Sequence, residues 1–246
     1  NSRPHVPHWG RCRKMNFNLM STQTSQSVVV ASSHAARMRL ATTLEILLVY
    51  AGILLYIWRG QFTYPRAWMV LLACVLASHV LHGDSLQDLG LTLENLRASA
   101  QSILPLALAL FLPITIYGFA SGRLLLAVPN MRTLISFAGY GLWSLFQQYV
   151  TQSYFHNRLM PLLDNRHVSS LMVALMFGGA HIPNPILMIA TTFGGFILAE
   201  VFACHRNIYP LALAHAVGGF LIAALSPAAL IHNMRVGPGY FFFGLR

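Results

Sequence analysis

Charge is what this chain has least of. Only 9% of its 246 residues are Asp, Glu, Lys or Arg, whereas a soluble domain carries about 25%. That scarcity excludes an ordinary water-exposed surface. Lysine is represented by Lys14 alone, and six acids stand against 15 arginines, for a formal net charge of +10. The arginines are scattered singly near the ends of apolar runs: Arg59, Arg66, Arg97, Arg123, Arg132, Arg158, Arg166 and Arg206. A nucleic-acid binder clusters its basic residues on a soluble face, so no nucleic-acid partner is expected, and phospholipid headgroups are the better match. Cysteine is also sparse. Cys12, Cys74 and Cys204 show no CxxC spacing, which supports neither a disulfide framework nor a thiolate metal site. Cys74 and Cys204 read as small apolar packing residues. The polar-in, apolar-out alternation of barrel strands is missing as well.

What the chain has instead is apolar length. Hydrophobic residues make up 56%, and the mean hydropathy is +0.58. Seven runs recur: 40–58, 65–81, 103–119, 134–155, 168–180, 186–204 and 208–225. A bilayer core takes about 20 helical residues, fewer for helices shielded inside a bundle, and lipid leaves only helices or closed barrels as spanning solutions. The expectation is an all-α polytopic transmembrane bundle of about seven spans (six to eight) over 40–225. A polar, disordered tail at 1–39 and a short tail at 226–246 flank it. Residues 1–39 hold no apolar signal-peptide run, and Met15 or Met20 reads as the start. Arg37 and Arg39 favour a cytoplasmic amino end, but Arg59 and Arg66 in the next loop oppose that orientation.

Three local features qualify the pattern. The acidic stretch Asp84 to Ser99 reads either as an amphipathic interfacial helix, from Leu86, Leu89, Leu93 and Leu96, or as a solvated loop, since Gly90 interrupts the spacing. Pro105 and Pro113 should kink the third run, and Pro183 and Pro185 should stop a helix near His181. Tyr240 to Phe243 reads as an interfacial aromatic anchor.

Against this background a few polar residues stand out, because polar side chains at membrane depth are expensive and mark interiors or cavities. Gln147 and Gln148 lie mid-helix in GLWSLFQQYVTQSYFHNRL, His181 in FGGAHIPNP and His215 in YPLALAHAVGG. Ser144, Gln148, Gln152 and His156 form a stripe at steps of four, with Gln147 and Thr151 beside it. Alone, such a stripe reads first as interhelical hydrogen-bonding glue. Two further intramembrane histidines, each flanked by small residues that allow close helix approach, turn it into a candidate site. Glu200 reads as a span-end charge paired with Arg206 or facing headgroup water.

The arrangement resembles the CAAX protease and bacteriocin-processing (CPBP) intramembrane proteases, whose motifs are EExxxR, FxxxH and HxxxN/D on successive helices. Gln147 and Gln148 stand at the paired-Glu positions and Gln152 at the Arg position. Phe177 and His181 match FxxxH. His215 opens the third motif, with Gly219 at its Asn/Asp position. DLGL at Asp88–Leu91 resembles the segment before the domain, and the likeness spans about 84–225. It implies an integral, multi-pass protein of the bacterial inner (plasma) membrane. The implied activity is hydrolysis of a membrane-anchored or lipid-modified protein by an activated water, with Gln147, Gln148, His181 and His215 as catalytic residues. Ser144, Gln152, Phe177 and Gly219 would support them. His181 and His215 are also the candidate ligands for a divalent metal such as zinc, although two histidines and amides are a poor zinc set. A glutamine amide cannot act as a general base, so the base would be His181 or His215. The alternative is a catalytically inactive member that binds a membrane partner.

Overall fold

The computed structural model describes residues 25–122 and 131–242. The expected features at Met15, Met20, Cys12, Arg123 and Phe243 lie outside the described residues. Every regular element among the described residues is helical. Helix α1 runs Ser25–Leu55, α2 Trp68–His82, α3 Leu96–Ala120 and α4 Met131–Gln148. The chain continues from α4 without a break as a π-helical segment, Tyr149–His156, and then α5, Asn157–Leu163. Helices α6 Arg166–Gly179, α7 Pro185–His205 and α8 Tyr209–Leu225 complete the bundle.

Among the described residues, four helical stretches are long and apolar enough to cross a membrane: Ala35–Thr63, Pro65–His82, Leu96–Ala120 and Pro185–His205. Tyr209–Leu225 is a shorter apolar helix. Large hydrophobics such as Leu48, Val80, Leu81 and Ile189 are exposed on the outside of the bundle. That inversion of the soluble pattern is what lipid contact permits.

Several sequence expectations change. Residues 25–39 of the expected disordered tail are helical and belong to α1. Residues 83–95, the bulk of the acidic stretch, form turns, neither an interfacial helix nor a free loop. Leu89 is buried, and the carbonyls of Leu89 and Asp88 accept bonds from Ser153 Oγ at 2.6 Å and Asn157 Nδ2 at 2.8 Å. Gly90 takes φ +69°, a region L side chains rarely adopt, and its carbonyl accepts the Ile208 amide at 3.1 Å. The segment is a docked strap.

Helix α3 runs through Pro105 and Pro113 as one element. Helix α6 stops at Gly179, and Asn184 caps α7 by accepting the Leu187 amide, with Pro185 at the first helical position. At the carboxyl end Tyr240 stacks on His232 with centroids 3.7 Å apart, leaving Phe241 exposed.

The arginines also differ from expectation. Arg158 is not a headgroup anchor: it is buried and bonds Asp84 through Nη2 at 2.6 Å and Nη1 at 3.2 Å. Ser78 Oγ accepts from Arg158 Nη2 at 2.9 Å and donates to Glu45 Oε1 at 2.6 Å. Tyr154 donates to the same Glu45 oxygen at 3.0 Å, and the His79 ring nitrogen Nδ1 donates to Asp84 at 2.7 Å. This network joins α1, α2, the strap and α5. Burial alone would raise the Asp84 pKa, but hydrogen bonds from Arg158 and His79 outweigh it and hold the carboxyl below its ordinary value. Glu200 pairs with Arg166 and His167, each at 3.1 Å, while Arg206 bonds the Asp88 carbonyl and Asn157. Cys74 is a free, exposed thiol, and Cys204 Sγ accepts a hydrogen bond from Arg166 Nη1 at 3.4 Å.

Candidate functional site

The site residues reach one place because three helices carry them there. On α4, Tyr140, Ser144 and the pair Gln147–Gln148 recur at helical spacing, so they share a face. At Tyr149 the helix widens to π geometry, a rare form found mostly as short insertions, frequently at functional sites. Over that segment Thr151, Gln152, Ser153, Tyr154, Phe155 and His156 are all buried. The polar residues are therefore not a narrow stripe on a straight helix. A whole enclosed turn of them lies between the bundle centre and the strap.

A cavity of about 1230 Å³ opens beside this rod. Gln147, Thr151, Phe177, His181, His215 and Gly219 are among its lining residues, and among the described residues no Asp, Glu, Lys or Arg lines it. Gln148, Ser144 and Gln152 sit behind the wall, 0%, 0% and 1% exposed. The two adjacent glutamines thus play different parts. Gln147 faces the cavity, while Gln148 supports it.

Gln148 forms the middle of an amide chain. Gln152 Nε2 donates to Gln148 Oε1 at 3.2 Å, and Gln148 Nε2 lies 3.1 Å from His215 Nδ1. With the amides so oriented, Gln148 donates to Nδ1, so the neutral His215 ring carries its proton on Nε2. His181 has the opposite pattern. It follows the end of α6, where its Nδ1 donates to the Phe177 carbonyl at 2.7 Å, leaving the Nε2 lone pair free. Both rings pack edge-on against Phe177, with centroids 5.0 Å and 5.5 Å from it. Phe177 thus spaces one imidazole that can accept a proton at Nε2 from one that can donate there.

Several polar atoms behind the wall lack protein partners. Gln152 Oε1 and both ring nitrogens of His156 are buried without a hydrogen bond. A metal fits poorly. With Nδ1 accepting from Gln148, His215 holds its proton on Nε2 and offers no lone pair. Of the two rings only His181 Nε2 is therefore free to ligate, and among the described residues no group of three His, Cys, Asp or Glu could hold an ion. Amide oxygens do not make up the missing zinc ligand.

Two residues escaped the sequence reading. Glu45 lies inside the first apolar run, where any acid signals a partner, and it anchors the Arg158 network. Tyr140 lines the cavity beside His215, with ring centroids 6.4 Å apart; its position seven residues before Gln147, on one helix face, was the available signal. Comparison with known proteins adds no relative: no family model, no curated protein and no solved structure matches this chain.

Proposed function

We propose that this chain is an intramembrane endopeptidase of the CPBP type in which glutamines occupy the places of the paired glutamates. It hydrolyses a peptide bond in a membrane-anchored or lipid-modified protein. The observation that carries the reading is the pair of complementary imidazoles that line the cavity on either side of Phe177, with no charged side chain among its described lining residues. His181 Nε2 accepts a proton from a water as its oxygen attacks the scissile carbonyl. The developing oxyanion takes the Nε2–H bond of His215. The proton held on His181 then passes to the leaving amine as the C–N bond breaks. Gln147 orients the water through its amide, and Gln148 and Gln152 fix the His215 tautomer. General-base catalysis contributes about 10²–10⁴-fold and one oxyanion donor about 10²–10³-fold, so two histidines without a carboxylate suffice for a slow peptidase.

In this reading the rod from Met131, α6 and α8 also lie within the membrane, which with the four long apolar stretches gives seven spans. The resemblance further carries the expectation of a bacterial inner membrane. A second reading, an inactive member that binds a membrane partner, is favoured by one observation: among the described residues no acid lines the cavity.

The test compares membrane and secreted proteins from cells carrying the native chain, His181→Ala or a deletion. Substrate termini present with the native chain and lost equally in the other two support a peptidase. A phenotype confined to the deletion supports the binding reading.

A further inference from the structure

Gly219 lies in the interior of α8 and lines the cavity. Glycine in a helix interior is destabilising by about 0.5–1 kcal/mol relative to alanine, so its presence in α8 needs a local reason. The geometry supplies one. A Cβ built on Gly219 would overlap the hydroxyl oxygen of Tyr140 and lie 2.7 Å from its Cζ and 2.8 Å from its Cε1. The phenol from α4 therefore fills the space that a side chain on α8 would occupy. Tyr140 and Gly219 both line the cavity, and the Tyr140 ring faces His215 edge-on. The Ser144 hydroxyl, one turn along α4, is placed to donate to the Tyr140 oxygen, which leaves the phenol O–H itself to donate.

We propose that Tyr140 completes the site across the helix interface: its hydroxyl takes the place of the side chain absent at Gly219 and presents a hydrogen-bond donor beside His215. This rests on the peptidase reading for its chemical role, since the donor faces the oxyanion there, but the exchange of space between α4 and α8 stands apart from that role. A phenol is suited to it. Its long, rigid ring carries an O–H from one helix to the next, and a buried Tyr hydroxyl serves as donor or acceptor. Preorganised donors of this kind act where charge develops in the transition state.

The experiment uses the full chain reconstituted in lipid nanodiscs, as native protein, Tyr140→Phe, Tyr140→Ala, Gly219→Asn and the Tyr140→Ala/Gly219→Asn double variant, each followed by melting and by peptide cleavage. Tyr140→Phe keeps the ring, so its melting and KM should match the native chain while kcat falls about 10²-fold. Gly219→Asn should lower melting in the native background and not in the Tyr140→Ala background, and the double variant should regain cleavage that Tyr140→Ala alone loses. An unchanged kcat in Tyr140→Phe overturns the inference, as does an equal melting effect of Gly219→Asn in both backgrounds. If the native chain cleaves nothing, the peptidase reading fails by itself. The melting coupling then decides the placement of Tyr140 on its own.

Discussion

Gln148→Glu tests the site most directly, because it changes one atom of a fully buried side chain and with it the proton inventory of its neighbour. The native amide donates to His215 Nδ1 and accepts from Gln152. A carboxylate only accepts, so Nδ1 must now carry a proton, and the neutral imidazole loses the one on Nε2. Burying the carboxylate costs several kcal/mol. The two hydrogen bonds it receives, each worth about 1.5–3 kcal/mol to a charged group, offset most of that, so stability should move by no more than about 2 kcal/mol. Cleavage should behave differently. Loss of the Nε2–H donor is expected to lower kcat by about 10²–10³-fold at unchanged KM. Relative to native, the loss should be largest at alkaline pH and shrink on acidification, because an imidazolium regains the Nε2 proton. Gln148→Met is the control. It strands His215 Nδ1 and the Gln152 amide, at about 1–3 kcal/mol each, and should melt well below Gln148→Glu. Nitrogen-15 shifts of labelled histidine in nanodiscs report the tautomer, and peptide cleavage reports kcat. A Gln148→Glu protein that cleaves faster than native, or keeps Nε2 protonated at alkaline pH, would refute the assignment and point to a site that lost its base.

Other expectations concern the scaffold. Arg158→Met leaves Asp84 and Glu45 without their cation and should destabilise the protein by about 3–5 kcal/mol, with part of the loss recovered by adding Asp84→Asn; equal melting of the two variants would argue against the network. The Asp84 and Asp88 carboxyls are both held below their ordinary values, Asp88 by the Ser85 hydroxyl and amide. Their contribution is full above the ordinary carboxylate pKa and lost as pH falls through the lowered one. The protection factor of the Ile208 amide, which bonds the strap, should therefore fall below about pH 4 and stay flat from pH 5 to 8. A loss of protection near pH 6 would instead implicate a histidine. At the α6–α7 seam a Cβ on Gly178 would overlap Thr192 Oγ1. Gly178→Ala should accordingly lower stability by about 1–3 kcal/mol, and Thr192→Ala should relieve it; no relief would mean the helices part elsewhere.

The helical bundle was legible because apolar length and missing charge leave few other solutions. The count of spans was less so. The rod from Met131 carries Gln147, Gln148 and Gln152, and α6 has only 14 residues, so neither meets the length and apolarity that mark a span outright. Gln148 and His215 stood out as polar residues in apolar runs, and they meet. What periodicity could not show is the π segment, since a widened turn rotates Thr151–His156 inward without changing composition. Long-range pairing was equally hidden. Arg158 reads as a span-end anchor until Asp84, 74 positions away, folds back onto it. Glu200 reads as paired with the nearby Arg206 or facing headgroup water, yet Arg166, one helix earlier, reaches it. Tyr140 went unnoticed because tyrosine in an apolar helix is ordinary; only the bare backbone opposite it makes it matter.

The uncharged lining of the cavity has an electrical consequence. A charge displaced through a membrane potential gains or loses about 2.3 kcal/mol per 100 mV, which is how voltage acts on pores and carriers. On the peptidase reading, a chamber whose described lining is amides, imidazoles and hydrocarbon holds no fixed charge for such a field to act on, and entry of a neutral segment is expected to depend on shape and hydration.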